Sequence, residues 1–258
     1  MIVVLHEFLT EEALERCIQD AINEEDDAYT TDDTHTPYLT SVDTEKYPIH
    51  SVYNHEMRTR VASIAYDELP PTSPLVLLYQ HPLLLPLISE ITSNERLFLS
   101  EDPIGACSIN VFRPEYHHSF HFDESEFSTT FMIQEAEDGG LFQYTPPLRQ
   151  SHVDLALTEV ATTIHTYARN EQNNNHDNPN QDFFLEQQQS SCLCPELHTL
   201  DFRPGTLSIF SGSKSLHRVT QVKGTKSRLV AVLTFATQPG FRNSKEVQEL
   251  FWGRSSPN

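Results

Sequence analysis

Residues 117–127 read HHSFHFDESEF and place three histidines and three carboxylates within eleven positions. Imidazole nitrogens and carboxylate oxygens are both ligands of transition metals. His121 and Asp123 are two residues apart, so an extended strand would turn both side chains to one face. The stretch therefore predicts either part of a metal site or an acidic, histidine-rich surface loop, and the surrounding sequence favours one of the two.

The sequence from residue 105 onward is typical of a β-sheet protein. Short runs rich in β-branched and aromatic residues are separated by turn residues. These runs read ACSINVF, STTFMIQ, GGLFQYT, PGTLSIF, HRVTQV and RLVAVLTFAT. Several short strands after a helical half predict an α+β fold, namely a double-stranded β-helix (jelly roll) with N-terminal helices packed on one sheet.

Helices are predicted mainly in the first hundred residues. Thr10 is a candidate N-cap in front of apolar residues that recur at helical spacing over 14–22. Helical spacing returns at 57–66 and again at 82–95. Between the first two segments, 23–50 is acidic and threonine-rich, and we expect a surface excursion with one short strand.

One domain is predicted over residues 1–258, with a helical N-terminal part at 1–100 and a β core at 104–240. An amphipathic helix is expected within 149–167. The tract that follows is rich in asparagine and glutamine, and such polar segments do not repay the entropy lost on ordering. We therefore predict a disordered insertion at 170–191.

Charge and composition narrow the class of partner. The chain has 17 lysines and arginines against 37 acidic residues, which gives a net charge of −20 at pH 7. Nucleic acids and anionic membranes need a basic face, so we expect neither as a partner. The sequence shows no signal peptide and no long apolar span, and its four cysteines are scattered, which suits reduced thiols. A cytoplasmic protein is predicted, with its oligomeric state left open.

A second histidine also lies two residues before an aspartate. His152 and Asp154 follow Ser151 and precede an apolar helical run. This arrangement is typical of a capping box at a helix start, with Asp154 as its far corner. Only the pair His121 and Asp123 is therefore interpreted as metal-binding.

A third ligand is predicted at His217, which opens a later strand run. Two histidines and one carboxylate form the facial triad of non-haem Fe(II), which leaves three coordination positions open. Zinc also accepts these ligands. Arg228 lies eleven residues later, on a strand whose alternation puts Val230, Val232 and Thr234 on the same face. A guanidinium on an inward face requires an anion, and it binds carboxylates bidentately.

The set His121, Asp123, His217 and Arg228 resembles the Fe(II)/2-oxoglutarate-dependent oxygenases, and within them the small free-amino-acid (lysine-type) hydroxylases and halogenases. The resemblance extends through HFDESEFSTTFMIQEAEDGGLFQYTPPLR and LDFRPGTLSIFSGSKSLHRVTQVKGTKSRLVAVLTF. It covers the chain from about residue 75 to the end, apart from the polar insertion. The family's common serine or threonine two residues past the arginine is absent, because position 230 is valine.

The resemblance implies a set of site residues and cofactors. Fe(II), 2-oxoglutarate as cosubstrate and dioxygen are expected. The expected metal ligands are His121, Asp123 and His217. Arg228 is expected to bind 2-oxoglutarate, and the missing hydroxyl partner is supplied by Asn110, Thr130 or a water. The residues expected to contact the substrate are His118, Glu124 and Thr234.

The expected reaction is hydroxylation of a small molecule, most simply a free amino acid or a related amine. Halogenases of the resembling group carry a small residue at the position of Asp123, so a carboxylate there favours hydroxylation. Two alternatives remain: a protein side-chain hydroxylase of the same fold, and a non-catalytic jelly-roll binding module. Arg228 distinguishes the last of these, because a structural metal site has no use for an inward arginine.

Overall fold

The computed structural model describes residues 2–94, 96–151, 153–172 and 194–257. The helices of that part of the chain are α1 (Glu11–Glu24), α2 (Pro74–Tyr79), α3 (Leu84–Thr92), α4 (Leu157–Gln172) and α5 (Lys245–Trp252), with a short 3-10 helix at Val52–Asn54. The strands are β1 (Ile2–Leu5), β2 (Tyr29–His35), β3 (Met57–Ile64), β4 (Phe98–Leu99), β5 (Cys107–Phe112), β6 (His118–His121), β7 (Phe127–Gln134), β8 (Asp138–Gly139), β9 (Phe142–Tyr144), β10 (His198–Thr199), β11 (Leu207–Phe210), β12 (His217–Val219), β13 (Val222–Lys223) and β14 (Arg228–Ala236).

The fold has a mixed α/β architecture, and its sheets are antiparallel. The large sheet has the order β1-β11-β7-β14-β5-β3-β2, and β4 pairs with the end of β14. A smaller sheet has the order β10-β9-β12-β6, and β13 pairs with β8. One cavity is lined by residues of both the large and the small sheet. Each strand run predicted from the sequence contains strand residues.

Strand β14 lies in the middle of the large sheet and divides its residues between two environments. Arg228, Val230, Val232 and Thr234 line the cavity. The alternate residues Ala231, Leu233 and Phe235 are fully buried in the main hydrophobic core. The phenol of Tyr79 on α2 donates a hydrogen bond of 2.9 Å to the carbonyl of Thr234, which attaches a helix to this strand. The predicted two-residue alternation is therefore confirmed.

The first helix begins as predicted. The hydroxyl of Thr10 accepts a hydrogen bond of 3.2 Å from the amide of Ala13, which satisfies one of the free amides at the start of α1. Cys17 and Ala21 on this helix are buried in the main core. Helix α3 lies inside the segment 82–95 that was predicted to be helical.

The prediction of a helix at 57–66 is wrong. Residues Met57–Ile64 form β3, which pairs with β2 on one side and β5 on the other. Val61, Ala62 and Ile64 are all fully buried, because both faces of this part of the strand are covered. A strand that is buried on both faces loses its polar–apolar alternation, and its apolar residues then imitate helical spacing. The N-terminal part thus supplies the strands β1, β2, β3 and β4 to the large sheet as well as helices.

The expected helix after residue 149 begins later than predicted. It starts at Leu157, and Val153 is 90% exposed outside it. Asp154 accepts hydrogen bonds from the amides of Gln150 (2.9 Å) and Ala156 (3.2 Å). It therefore closes the turn before α4 and is not the far corner of a capping box. His152 lies outside the described residues.

The predicted insertion at 170–191 also lies outside the described residues, except that α4 continues through its first three positions. Among the helices that the structure describes, none has the length and the apolar character needed to cross a bilayer.

Candidate metal centre

The two predicted histidine ligands face each other across paired strands. Strand β6 pairs with β12 in the small sheet, and His121 is the direct partner of His217. Asp123 follows β6, and its Oδ1 lies 3.4 Å from Nε2 of His121 and 3.3 Å from Nε2 of His217. The three ligand atoms lie within 4.8 Å of one another. The structure therefore brings the three residues together as one group that could hold a metal ion.

Hydrogen bonds to the backbone orient both imidazoles. Nδ1 of His121 lies 2.8 Å from the carbonyl of Ser119, and Nδ1 of His217 lies 2.9 Å from the carbonyl of Ser215. A carbonyl only accepts, so each Nδ1 carries a proton, and Nε2 is the ring atom that can serve as a metal ligand. Both rings are at most 4% exposed and are therefore fixed by packing as well.

The carboxylate of Asp123 is held from its other side. The hydroxyl of Ser128 donates a hydrogen bond to Oδ2. The amide of Asp123 donates to the carbonyl of Gly212 at 3.1 Å, and a β-carbon on Gly212 would lie only 2.0 Å from Oδ2. Burial acts to raise the pKa of Asp123, but His217 and His121 outweigh it and hold the pKa well below its usual range. Oδ1 is thus presented as an anionic ligand between the two imidazoles.

This donor set fits iron. Two neutral imidazole nitrogens and one carboxylate oxygen converge from one side, which is the facial arrangement that non-haem Fe(II) uses while three positions stay open. Zinc accepts the same donors, so the ligands alone leave the choice of metal open. The remaining residues of the cavity bear on that choice.

Arg228 supplies the clearest signal of a second ligand. It is 1% exposed, and its Nε and Nη1 have no hydrogen-bond partner among the described residues. Its guanidinium carbon lies 5.2 Å from the ring centre of Phe112 and 6.0 Å from that of Phe202. Burial lowers the pKa of Arg228 to about 9. A buried guanidinium with two free donors is costly unless an anion binds there.

Asn110 and Thr130 flank the strand of Arg228 on opposite sides. Asn110 on β5 is the register partner of Val230, and Thr130 on β7 is the partner of Val232. The amide oxygen of Asn110 accepts a hydrogen bond of 3.3 Å from Ser63, so its amide nitrogen remains available toward the cavity. The hydroxyl of Thr130 lies 3.2 Å from that of Ser208.

The three expected substrate residues line the same cavity, and they differ in the hydrogen bonds that they already make. His118 is buried, its ring stacks on His121 with 3.8 Å between centroids, and its Nε2 has no hydrogen-bond partner within the described part of the chain. Burial holds the pKa of His118 well below 6.5. Glu124 accepts a hydrogen bond of 2.8 Å from the amide of Ser244. The hydroxyl of Thr234 already donates to the carbonyl of Gly105 at 3.2 Å, so it offers the cavity only an acceptor.

All nine residues expected from the sequence line one cavity. Sequence reasoning missed the residues that support them, which include Ser128, Gly212, Phe112 and Phe202. It also missed the wall that α5 contributes through Val247, Phe251 and Trp252, together with Asn243 just before this helix. The sequence signal for this wall is limited to the apolar and aromatic residues of ELFWGR at 249–254.

Neither the protein-family models nor the curated proteins gave a match to this sequence. Solved structures do match. An oxidoreductase of the 2OG-Fe(II) oxygenase family from Burkholderia pseudomallei is 14% identical, with a TM-score of 0.52 over 93% of this chain and 86% of that chain. HygX from Streptomyces hygroscopicus, with nickel, 2-oxoglutarate and hygromycin B bound, is 12% identical, with a TM-score of 0.52 over 92% of this chain and 83% of that chain.

A third similar structure is SnoK, a non-haem α-ketoglutarate-dependent carbocyclase from nogalamycin biosynthesis. It is 12% identical, with a TM-score of 0.55 over 100% of this chain and 89% of that chain. At such low identity the likeness establishes the fold alone. The chain has the fold of these oxygenases, and the residues of its cavity must supply the argument for its activity.

Proposed function

We propose that this protein is an Fe(II)- and 2-oxoglutarate-dependent oxygenase, built on a double-stranded β-helix, that hydroxylates a small amine-bearing molecule. The observation that carries the proposal is the buried guanidinium of Arg228, with two unpaired donors, in the same cavity as His121, Asp123 and His217. A dicarboxylate that chelates the metal through one end requires a cation at its other end. The metal triad and the unpaired Arg228 would provide these two partners.

The energetic argument concerns Arg228. Removing a charge from water costs several kcal/mol unless the charge is paired and hydrogen-bonded. Only desolvation acts on the pKa of this arginine, and no acidic group of the described residues compensates it. Such an uncompensated charge is expected at a ligand site, where part of the stability of the fold is given up for function. A carboxylate is the natural partner of its planar fork of donors.

When bound, iron and 2-oxoglutarate would supply the oxidising chemistry, in which dioxygen is consumed and the cosubstrate leaves as succinate and carbon dioxide. His121, Asp123 and His217 would hold the metal. Arg228 would bind the distal carboxylate of the cosubstrate, with Asn110 or Thr130 in place of the hydroxyl that Val230 lacks. The rings of Phe112 and Phe202 beside Arg228 exclude water from this end of the cavity.

The alternatives fit the cavity less well. A non-catalytic binding module would need neither an unpaired Arg228 nor a metal group that leaves coordination positions open. A protein side-chain hydroxylase would need to admit a polypeptide. The cavity is bounded by α5, whose residues Phe251 and Trp252 lie beside His118 and Gly105 respectively. This wall supports a small substrate.

The test is consumption of 2-oxoglutarate by the iron-loaded protein. The purified protein is incubated with Fe(II), 2-oxoglutarate, dioxygen and a panel of amines, amino acids and peptides, and succinate is quantified. Binding of 2-oxoglutarate is measured separately by calorimetry without oxygen, with Mn(II) in place of iron. We expect metal-dependent binding and amine-stimulated succinate formation. Absence of metal-dependent 2-oxoglutarate binding would show that the proposal is wrong.

A further inference from the structure

Leu39 lines the cavity in a backbone conformation that leucine rarely adopts. Its φ is 54°, which lies in the left-handed region, and its side chain is 6% exposed. Among the described residues, it is the only non-glycine residue with positive φ that lines the cavity. A left-handed leucine is unfavourable because its β-carbon approaches the following carbonyl, whereas glycine adopts this conformation freely. A bulky side chain therefore stands where the backbone favours glycine.

Hydrogen bonds and a ring contact hold the turn that carries Leu39. The amide of Leu39 donates to the carbonyl of Thr36 at 3.0 Å. The amide of Phe122 donates to the carbonyl of Pro37 at 2.8 Å, and the ring of Tyr38 stacks on that of Phe122 with 5.7 Å between centroids. Phe122 is the residue between the first two expected metal ligands. The turn is thus attached to the metal-binding segment, and surrounding contacts of this kind maintain a strained conformation.

The side chain of Leu39 is not part of a hydrophobic core. Neither of the two clusters of buried apolar residues in the described chain includes it. Val247 on α5 shares this situation, since it is 5% exposed, lines the cavity and lies outside both clusters. The hydroxyl of Thr31 on β2 donates to the carbonyl of Leu250 at 2.6 Å, which attaches α5 to the strand that precedes the Leu39 turn. Two apolar side chains from neighbouring elements thus line the cavity and offer it no hydrogen bond.

Core packing therefore does not explain why this position holds a leucine. Glycine at position 39 would relieve the backbone, but it would enlarge the cavity by the volume of the side chain. A strained residue that persists beside a binding site indicates a role for its side chain. Resting on the proposed function, we infer that Leu39 is a specificity-determining residue that contacts an aliphatic segment of the substrate and limits the length of that segment. Apolar walls gain affinity for each methylene that they bury, and packed walls reject one methylene too many.

Straight-chain primary amines from butylamine to octylamine test this length limit, because they carry the amine of the proposed substrate and differ only in methylenes. The titration uses protein with Mn(II) and 2-oxoglutarate, in which no turnover occurs. Trp252 is the only tryptophan of the chain and it lines the cavity, so its fluorescence reports binding. The affinity of the original protein should rise about fourfold for each added methylene and fall beyond a limiting length.

Leu39→Ala and Leu39→Gly test the residue itself. In both variants the limiting length should increase by about two methylenes, since the space of the removed side chain becomes available. Leu69→Ala is the matched control, because Leu69 is 5% exposed but belongs to the main core and does not line the cavity. This control should lower stability and leave the limiting length unchanged.

Urea unfolding of the two Leu39 variants tests the backbone strain separately. At ordinary positions alanine is more stable than glycine, because glycine loses more conformational entropy on folding. At a positive φ the order should reverse, so Leu39→Gly should unfold at a higher urea concentration than Leu39→Ala. The opposite order would show that the backbone of Leu39 is not strained.

An unchanged limiting length in both Leu39 variants would overturn the inference. Failure of every amine to bind the original protein would overturn it as well, because the cavity would then accept no aliphatic segment. Calorimetry of 2-oxoglutarate binding with Mn(II) distinguishes these results from failure of the proposed function. Normal cosubstrate binding with an unchanged limiting length contradicts only the role of Leu39, whereas loss of cosubstrate binding in the original protein contradicts the proposed function.

Discussion

Gly212 lies directly against the carboxylate of Asp123, and a β-carbon at position 212 would come within 2.0 Å of Oδ2. The same hypothetical atom would lie 2.8 Å from the hydroxyl of Ser128, which donates to that oxygen. The absence of a side chain at Gly212 therefore makes room for the oriented carboxylate. Gly212 is not among the residues with positive φ, so its backbone conformation suits any residue and the constraint is steric.

The first prediction follows from this contact. Gly212→Ala should displace Asp123 and weaken metal binding by about 10- to 100-fold, which is the usual effect of disturbing residues that orient a metal ligand. Calorimetric titration with Mn(II) measures it, with circular dichroism as the check on folding. Gly240→Ala is the control: its β-carbon would meet nothing within 4 Å, while its φ of 77° adds backbone strain. Similar metal affinity in the two variants would refute the steric explanation.

The second prediction concerns the histidine ligands. His217→Ala should abolish metal-dependent succinate formation and leave thermal unfolding of the metal-free protein cooperative, because the core around the site is apolar. His198→Ala provides a comparison on the neighbouring strand pair, since His198 is partly exposed and lies 3.8 Å from Glu196. Turnover near the original rate in His217→Ala would remove this residue from the site.

The third prediction separates function from stability at Arg228. Arg228→Met should weaken 2-oxoglutarate binding at least about tenfold, because a charged, bidentate partner is lost. The same variant should raise the unfolding temperature of the ligand-free protein, since it removes a buried charge whose Nε and Nη1 have no partner among the described residues. Arg203→Ala breaks an exposed ion pair with Asp201 (2.9 Å) and should change neither property appreciably. A destabilised Arg228→Met protein would show that the guanidinium has a partner within the fold.

The fourth prediction concerns acid stability. His35 is buried, its Nδ1 lies 2.9 Å from the carbonyl of Thr36, and its Nε2 lies 2.6 Å from the hydroxyl of Thr59. Burial, with a smaller effect of His121, lowers the pKa of His35 to about 4. Between about pH 6.5 and pH 4, the unfolded chain therefore binds a proton at His35 that the folded chain excludes. The stability present above pH 6.5 is lost as the pH falls.

At pH 5 the loss from His35 should reach roughly 2 kcal/mol, at 1.36 kcal/mol for each unit of pH. Urea unfolding of the metal-free protein at pH 7 and pH 5 measures the change. Carboxylates also titrate in this range, so the informative quantity is the difference between the original protein and His35→Gln. Identical pH dependence in the two proteins would show that His35 is not protonated on unfolding in this range.

The fifth prediction concerns the product. Under the proposed function, the carboxylate of Asp123 would bind the metal where a halide would otherwise bind, and its charge would repel a halide. Reaction under labelled dioxygen with excess chloride should therefore yield product that has gained one labelled oxygen atom and no chlorine. Mass spectrometry of the product distinguishes the outcomes, and a chlorine isotope pattern would contradict the role assigned to Asp123.

Sequence spacing alone identified the elements and residues whose signal is local. The cap at Thr10 and the shared face of Arg228 and Val230 along β14 depend on neighbours within a few positions, and both were confirmed. The predicted grouping of His121, Asp123 and His217 also appears in the structure. It was accessible because His121 and Asp123 are two residues apart and His217 opens a recognisable strand run, although the two histidines are far apart in sequence.

Tertiary structure decided the features that depend on which other strands and helices pack over a residue. Residues 57–64 imitate a helix in sequence because β3 is buried on both faces between β2 and β5, and only the completed sheet shows this. Likewise, Gly212 is one glycine among eight until the fold places it against Asp123. The hydrogen bond that the amide of Ser244 donates to Glu124 joins residues 120 positions apart. Contacts over such separations leave no periodic trace in the sequence, because they depend on how the sheets and helices pack together.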